Sequence, residues 1–291
     1  MSREPHQIDK HHCRTSFNNA AQRYDEVAVL QREVGERILE RLDLIKLNPK
    51  TILDIGAGTG VCAHALGKRY SQSNVIALDI APAMLKQAKN KRSWLTNAIS
   101  RKHYYVCADA EQLPLADNSV DLLFSNMAIQ WCTDLDQTFA EFRRVLNHGG
   151  ILLFSTMGPD TLKELRTSWA QADEHSHVHT FIDMHDIGDA LMRNGFADPV
   201  MDVENFTLTY SSVQQLMKEL KILGAHNVSQ TRRPGLTGKQ RLQTMLAAYE
   251  TYRNNDVLPA TYEVVYGHAW NLASQSAKHD HIVNVAPPSR R

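Results

Sequence analysis

The first part of the chain carries apolar side chains at helical spacing. Residues 1–15 are polar and lack an apolar period, so we expect them to form a disordered arm. From residue 17 to about residue 47, an apolar side chain recurs every three or four positions. This period predicts an amphipathic helix, which Asn48-Pro49 would end. The stripe consists of Val27, Leu30, Val34, Ile38, Leu42 and Ile45.

Beyond residue 50, short apolar runs alternate with helical stretches. Strands are predicted at 51–55, 74–80, 103–107, 119–124, 151–155, 199–210 and 260–266. Helices are predicted at 60–70, 82–91, 135–146, 161–172 and 184–194, and a longer helical stretch at 211–253. Apolar strands that alternate with helices are typical of a doubly wound, mostly parallel sheet, so we predict an α/β fold.

The alternation loosens after residue 156, where helical segments separate the later strands. We therefore predict one domain over residues 16–272, with helical insertions at about 157–182 and 211–257. Residues 273–291 are polar and are expected to form a loose tail.

The charge balance and the cysteines restrict the kind of protein. The chain has 32 Lys+Arg and 32 Asp+Glu residues, which argues against a nucleic-acid binder. No stretch approaches the ~20 apolar residues that a membrane helix needs. The cysteines are widely spaced and lack zinc-site spacing, which favours a reduced, cytoplasmic protein. They are Cys13, Cys62, Cys107 and Cys132.

The segment 52–60 holds the most informative chemistry. An apolar strand ends in Asp54 and turns through Gly56, Gly58 and Gly60 into a helix. Ligands of open α/β sheets bind at the carboxyl ends of strands, and glycines let the backbone approach them closely. A carboxylate before the loop would attract a cationic ligand and repel a phosphate.

Polar groups also follow the next three predicted strands. Asp79 can accept hydrogen bonds from both hydroxyls of a ribose, and Asp109 with Ala110 can line an adenine pocket. Asn126 follows the fourth strand at the same edge. Together these groups predict a site for an adenosine-type cofactor. A dinucleotide is disfavoured, because Val61 stands where that fingerprint has its third glycine.

This pattern resembles the motif of class I S-adenosylmethionine-dependent methyltransferases. The resemblance implies a Rossmann-like seven-stranded fold, S-adenosylmethionine as cofactor, and a glycine loop that faces its methionine part. It implies that Asp79 binds the ribose, that Asp109 binds the adenine, and that Asp54 orders the loop from below. The expected cofactor-binding residues are Tyr24, Gln31, Asp54, Gly56, Ala57, Gly58, Gly60, Asp79, Ile80, Met84, Asp109, Ala110 and Asn126.

Several longer segments give a narrower resemblance. They are FNNAAQRYD at 17–25, NMAIQWC at 126–132, FSTMGPDTLKEL at 154–165, LKILGAHN at 220–227, LTG at 236–238 and YEVVYGHAW at 262–270. This set resembles the malonyl-acyl-carrier-protein O-methyltransferase family of biotin synthesis. The resemblance implies methyl esterification of the free carboxylate of malonyl-acyl carrier protein, or of malonyl-CoA, as the first step toward the pimeloyl chain.

The expected acceptor needs positioning more than activation. A carboxylate is already a nucleophile at neutral pH, because its pKa is about 4, so no general base is required. Tyr24 and Trp131 are candidate positioning groups, and an arginine or another hydrogen-bond donor would hold the carboxylate. The candidates are Arg144, Arg166, His226, Asn227, Arg232 and Arg233. Arg144 could equally form a surface ion pair with Glu141.

Partners and alternatives follow from the remaining features. The segment 228–253 carries five basic residues and one acid, which suits an acidic carrier protein, and we expect a monomer. No metal is expected, because the histidines at 175, 177, 179 and 185 lack a metal-site motif. The alternatives are a methyltransferase for another small carboxylate or a quinone-like acceptor, and a non-catalytic assembly factor that keeps the fold.

Overall fold

A single sheet of seven strands forms the centre of the computed structural model, which describes residues 8–91, 102–225 and 238–272. The strands are β1 (Thr51–Ile55), β2 (Asn74–Asp79), β3 (His103–Cys107), β4 (Val120–Asn126), β5 (Leu146–Met157), β6 (Ala197–Tyr210) and β7 (Leu258–Asn271). Their order in the sheet is β3-β2-β1-β4-β5-β7-β6. The first five strands pair in parallel, and β7 runs antiparallel to both of its neighbours. The predicted doubly wound, mostly parallel α/β fold is confirmed.

Helices cover both faces of this sheet. Ile52 and Leu53 are adjacent in β1, fully buried, and pack into different apolar clusters, because successive side chains of a strand point to opposite faces. Burial on both faces explains why these strands are continuously apolar in sequence. The helices are α1 (Lys10–Ala20), α2 (Tyr24–Val27), α3 (Val29–Arg41), α4 (Val61–Arg69), α5 (Pro82–Lys91), α6 (Leu135–Val145), α7 (Lys163–Ala170), α8 (Met184–Arg193), α9 (Val213–Ile222) and α10 (Lys239–Glu250).

The N-terminal segment differs from the expected disordered arm. Helix α1 begins at Lys10, and the Asp9 side chain caps it by accepting a hydrogen bond from the His12 N–H at 2.9 Å. Ile8 and Cys13 are buried. The buried face of α1 consists of Cys13, Ser16 and Ala20, which are too small or too polar to register as an apolar stripe. The prediction of disorder is therefore wrong for residues 8–15, and residues 1–7 lie outside the described part of the chain.

The helix predicted from residue 17 to about 47 is also divided. Ala28 has a non-helical ψ of 50°, which separates α2 from α3. The apolar stripe nevertheless lies where its period places it, since Leu30, Val34 and Ile38 are buried against the sheet.

The segments predicted as insertions contain α7, α9 and α10. Helix α7 packs against α10 and against β7. The helical stretch expected at 211–253 is two helices, and residues 226–237 between them lie outside the description, as does the tail at 273–291. Within the described ranges, no helix combines the length and the apolar character that crossing a membrane requires.

Candidate functional site

A cavity of about 510 Å³ lies at the carboxyl ends of the parallel strands. Ile55 of β1, Asp79 of β2 and Asn126 of β4 all line it. Their meeting follows from the topology, because the ends of parallel strands share one edge of a sheet. The cavity has the size and the mainly apolar lining of a small-molecule site.

The glycine loop forms the floor of this cavity. Gly56 has a φ of +68°, and a Cβ on it would lie 2.2 Å from the Cβ of Ala128. Gly58 has a φ of +54°, lines the cavity, and would place a Cβ no closer than 3.9 Å to its surroundings. Gly56 is therefore required by packing, whereas Gly58 leaves backbone open to a ligand. Ala57 and Gly60 belong to the same loop but do not line the cavity.

Two buried carboxyl groups lie beside and below the loop. Asp79 accepts hydrogen bonds from the N–H of Gly58 at 2.9 Å and from that of Ala81 at 2.8 Å. Burial raises the pKa of Asp79 to about 6, against the lowering effect of these two bonds, so the group is ionised at neutral pH. Asp79 thus brings a negative charge to the cavity wall.

Asp54 lies below the loop, 1% exposed, and does not reach the cavity. Burial, followed by the nearby charge of Asp79, raises the pKa of Asp54 to about 8. Asp54 is therefore mainly protonated at neutral pH. In this arrangement the carboxylate at the cavity wall is that of Asp79, whereas Asp54 lies behind the loop.

Residues from α2 and α3 form an adjoining wall. The side-chain oxygen Oε1 of Gln31 is buried and has no hydrogen-bond partner in the described structure, although Gln31 lines the cavity. Asn126 donates to the Gln31 carbonyl at 2.9 Å and accepts from the Ser155 hydroxyl at 2.7 Å, which fixes this wall to β4 and β5. Burial raises the pKa of Tyr24, so its hydroxyl stays protonated. Ile80 and Met84 also line the cavity.

The wall at Asp109 and Ala110 includes a residue that the sequence did not single out. Lys10 lines the cavity and pairs with Asp109 at 2.9 Å and with Glu111 at 2.6 Å. The sequence does not predict Lys10 as a site residue, because residues 1–15 lack an apolar period. The small residues of α1 at intervals of three and four were the signal available for it.

The half of the cavity farther along the chain, which we call the distal half, comes from β5, α7, the segment 171–182 and α9. Trp131 adjoins it, with its ring 5.4 Å from Phe17 and 5.9 Å from His179. Sequence reasoning identified Trp131 alone in this region. The side chains that line the distal half include Met157, Leu165, Trp169, His177, His179, Phe181, Met217 and Leu220.

The histidine cluster does not form a metal site. Within the described ranges, no group of three His, Cys, Asp or Glu side chains is arranged to hold a metal. His177 instead stacks on Trp169, with ring centroids 3.8 Å apart, while His185 lies exposed beside Asp183.

The arginines proposed to hold a carboxylate lie elsewhere. Arg144 pairs with Glu141 at 2.8 Å and with Asp117 at 2.7 Å. Arg166 donates to the carbonyls of Pro159 and Thr161, each at 2.8 Å. Neither arginine lines the cavity. The other candidates fall outside the described residues: His226, Asn227, Arg232 and Arg233.

The basic segment expected at 228–253 is only partly described. Arg253 pairs with Glu250 at 2.7 Å, so one of the five basic side chains is engaged by the single acid of the segment. Lys239 and Arg241 are the basic residues of α10.

Comparisons with known proteins agree with this geometry. The family model described as "Methyltransferase domain" matches residues 53–154, which span β1 to β5. The S-adenosylmethionine complex of phosphoethanolamine N-methyltransferase 2 from Haemonchus contortus has a TM-score of 0.50 and 19% identity. That match covers 82% of this chain and 52% of the solved chain, and at such identity the likeness extends to the fold alone.

Curated relatives match almost the whole chain. The malonyl-acyl-carrier-protein O-methyltransferase of Methylovorus sp. is 55% identical over 98% of this chain and 97% of its own length. The protein of the same name from Gallionella capsiferriformans is 52% identical, over 91% of this chain and 92% of its own. The chain therefore belongs to the malonyl-acyl-carrier-protein O-methyltransferase family, within the class I methyltransferases.

Proposed function

We propose that this protein transfers a methyl group from S-adenosylmethionine to the free carboxylate of a malonyl group carried as a thioester on acyl carrier protein. The observation that carries this proposal is the continuous cavity, which joins the glycine loop and Asp79 to an apolar distal half. The names of relatives that match nearly the full chain support the same acceptor. The ester would hide the malonyl charge and so provide the primer for the pimeloyl chain of biotin.

The residues in the half of the cavity that contains the glycine loop fit the cofactor. Asp79 would hold the ribose and Asp109 the adenine, while Gly58 leaves the loop backbone open to the methionine part. The buried, unpartnered Oε1 of Gln31 is an acceptor that needs a donor, and the amino group of the cofactor is such a donor. When bound, the cofactor supplies an electrophilic methyl group on a positively charged sulfur. The ionised Asp79 suits that charge.

The chain's own residues have to position the acceptor rather than activate it. Because a carboxylate is already a nucleophile at neutral pH, these residues would have no proton to remove from the acceptor. Tyr24 stays protonated and can donate a hydrogen bond at the junction between the two halves. Trp131 and the apolar distal half exclude water, which would otherwise solvate the attacking oxygen.

The test is a transfer assay with methyl-labelled cofactor and malonyl-acyl carrier protein. We expect label in a base-labile ester, and we expect Asp79→Ala to weaken cofactor binding roughly tenfold to a hundredfold, because a charged hydrogen-bond acceptor is lost. Asp189→Ala is the matched control, since Asp189 is an exposed acid on α8, away from the cavity. Label on a different acceptor and none on malonate would contradict the proposal.

The same proposal extends to the partner and its setting. We infer that the enzyme is a monomer in the cytoplasm. We also infer that the segments 157–182 and 211–257 form the acceptor side. The partner would be an acidic carrier protein rather than a nucleic acid or a membrane. Four cysteines without disulfides and a formal net charge of +0 support this view. Light scattering of the purified protein tests the monomer. Turnover that falls with salt for the carrier-linked substrate, but much less for malonyl-pantetheine, would support electrostatic docking.

A further inference from the structure

A stack of two rings beside a carboxylate lies in the distal half of the cavity. The rings of His177 and Trp169 are nearly parallel, at 9°, with centroids 3.8 Å apart. The Nε2 atom of His177 lies 2.8 Å from Oδ1 of Asp173. The side chains of His177 and Asp173 are 15% and 7% exposed. The imidazole is thus held in its plane by Trp169 and rotated to a fixed direction by Asp173.

The hydrogen bond to Asp173 occupies one of the two ring nitrogens of His177. Burial alone would raise the pKa of Asp173, but the hydrogen bonds from His177 and from the His175 N–H lower it, so Asp173 is a carboxylate. A carboxylate can only accept, so Nε2 carries the proton and donates. The other nitrogen, Nδ1, has no hydrogen-bond partner in the described structure, and His177 lines the cavity.

The lysine side chains of the cavity are less well placed to hold a small anion. Among the described residues that line the cavity, the lysine and arginine side chains are those of Lys10 and Lys221. Lys10 is already paired with Asp109 and Glu111. Lys221 is exposed on the last turn of α9. An imidazole with a fixed orientation and one available nitrogen is the stronger candidate.

We propose that His177 binds the carboxylate of the acceptor through Nδ1, with Asp173 and Trp169 as the residues that position it. This inference rests on the proposed function, because it assigns a role in holding the malonyl group. Binding of an acceptor carboxylate there uses Nδ1 as a second donor, while Nε2 keeps its hydrogen bond to Asp173 and the ring keeps its stack on Trp169. One carboxylate oxygen is held by His177, and the other remains available for methyl transfer.

This arrangement also accounts for acceptor selection. A malonyl thioester presents a carboxylate to His177, whereas an acetyl thioester presents a methyl group there. Placing an apolar group against Nδ1 leaves that nitrogen without a hydrogen-bond partner in a mainly apolar cavity, which costs affinity. His177 would therefore select thioesters that carry a second, free carboxylate.

The test compares His177→Asn and Asp173→Asn with His175→Asn as the matched control. His175 lies on the same segment, and its side chain is exposed. We expect His177→Asn to raise KM for malonyl-acyl carrier protein roughly tenfold to a hundredfold, with S-adenosylhomocysteine affinity unchanged. Asp173→Asn should change KM in the same direction but less, and His175→Asn should leave it unaltered.

Competition between thioesters separates binding from a structural role. Malonyl-pantetheine should inhibit the wild-type protein more strongly than acetyl-pantetheine, and His177→Asn should abolish this difference. If the difference persists, or if cofactor affinity falls in parallel with KM, the inference is wrong. Should His177→Asn not fold, Asp173→Asn decides by the same measure, because it keeps the stacked rings. A wild-type protein that methylates no malonyl thioester would contradict the proposed function instead.

Discussion

Replacing Gly56 with alanine isolates the contact between the glycine loop and the segment after β4. The added Cβ would lie 2.2 Å from the Cβ of Ala128 and 3.6 Å from its Cα. Ala128 directly precedes the helical turn Ile129–Trp131, so it cannot withdraw without moving Trp131. Gly58→Ala is the matched comparison, since its φ is also positive but its Cβ would meet nothing closer than 3.9 Å.

The free energy of unfolding should distinguish the two variants. A side chain at positive φ costs about 1–2 kcal/mol in either case. Overpacking against Ala128 adds about 1–3 kcal/mol for Gly56→Ala alone. We therefore expect a loss of about 2–5 kcal/mol for Gly56→Ala and of about 1–2 kcal/mol for Gly58→Ala. Gly58→Ala should instead lower affinity for S-adenosylhomocysteine, because its methyl group enters the cavity.

The assay is urea unfolding combined with a double-mutant cycle. Gly56→Ala with Ala128→Gly removes the overlap, so the pair should recover about 1–3 kcal/mol relative to the sum of the single changes. Calorimetry with S-adenosylhomocysteine gives the binding side of the comparison. Equal losses for the two glycine variants, or a coupling below about 0.5 kcal/mol, would refute the steric explanation.

Three further predictions concern single side chains. Asp54 has a folded-state pKa of about 8 and an ordinary value of 3.8, so the unfolded state loses its proton first and stability falls as pH rises between these values. Asp54→Asn should remove that loss of stability, which is on the order of 5 kcal/mol by pH 8. The shallower dependence of stability on pH that Asp79 causes up to about pH 6 should remain. Urea unfolding at pH 5, 7 and 8.5 measures this dependence, and an unchanged dependence in Asp54→Asn would contradict the assignment. Gln31→Leu should lower S-adenosylhomocysteine affinity roughly tenfold. It should change stability by less than about 1 kcal/mol, because Oε1 has no hydrogen-bond partner to lose. Unaltered affinity in calorimetry would count against the role of Oε1 as an acceptor. Arg144→Ala should lower stability by about 1–3 kcal/mol but leave KM for malonyl-acyl carrier protein unaltered, because its partners are Glu141 and Asp117; a raised KM would restore Arg144 as a substrate ligand.

The cofactor half of the site was accessible from sequence because topology determines it. Asp79 and Asn126 follow buried, continuously apolar strands, and the parallel order brings those strand ends together. The strand at 51–55 and the helix at 82–91 were predicted with their correct bounds, since Pro82 marks a first helical turn. Spacing could not show that burial would keep Asp54 protonated, because that depends on what packs around the carboxyl group.

The distal half was not accessible in the same way. His177 lies in a segment without regular structure, so no periodicity relates it to Trp169 on α7. The helix that carries Lys10 could not be predicted, because its buried face consists of small residues rather than large apolar ones. The sequence does not distinguish an arginine that binds a ligand from one, such as Arg144, that pairs with a surface carboxylate. Only the three-dimensional structure distinguishes them.

The position of β7 in the sheet affects how the chain folds while it is being synthesised. β7 pairs with both β5 and β6, yet it is made after every other strand, and β6 has no other partner among the described strands. Until residues 258–271 leave the ribosome, one edge of β5 and the whole of β6 lack their hydrogen-bonding partners. Exposed strand edges of this kind invite pairing with other chains. A nascent chain stopped before Leu258 would therefore depend on chaperones, even though its cofactor loop and the first five strands are already complete.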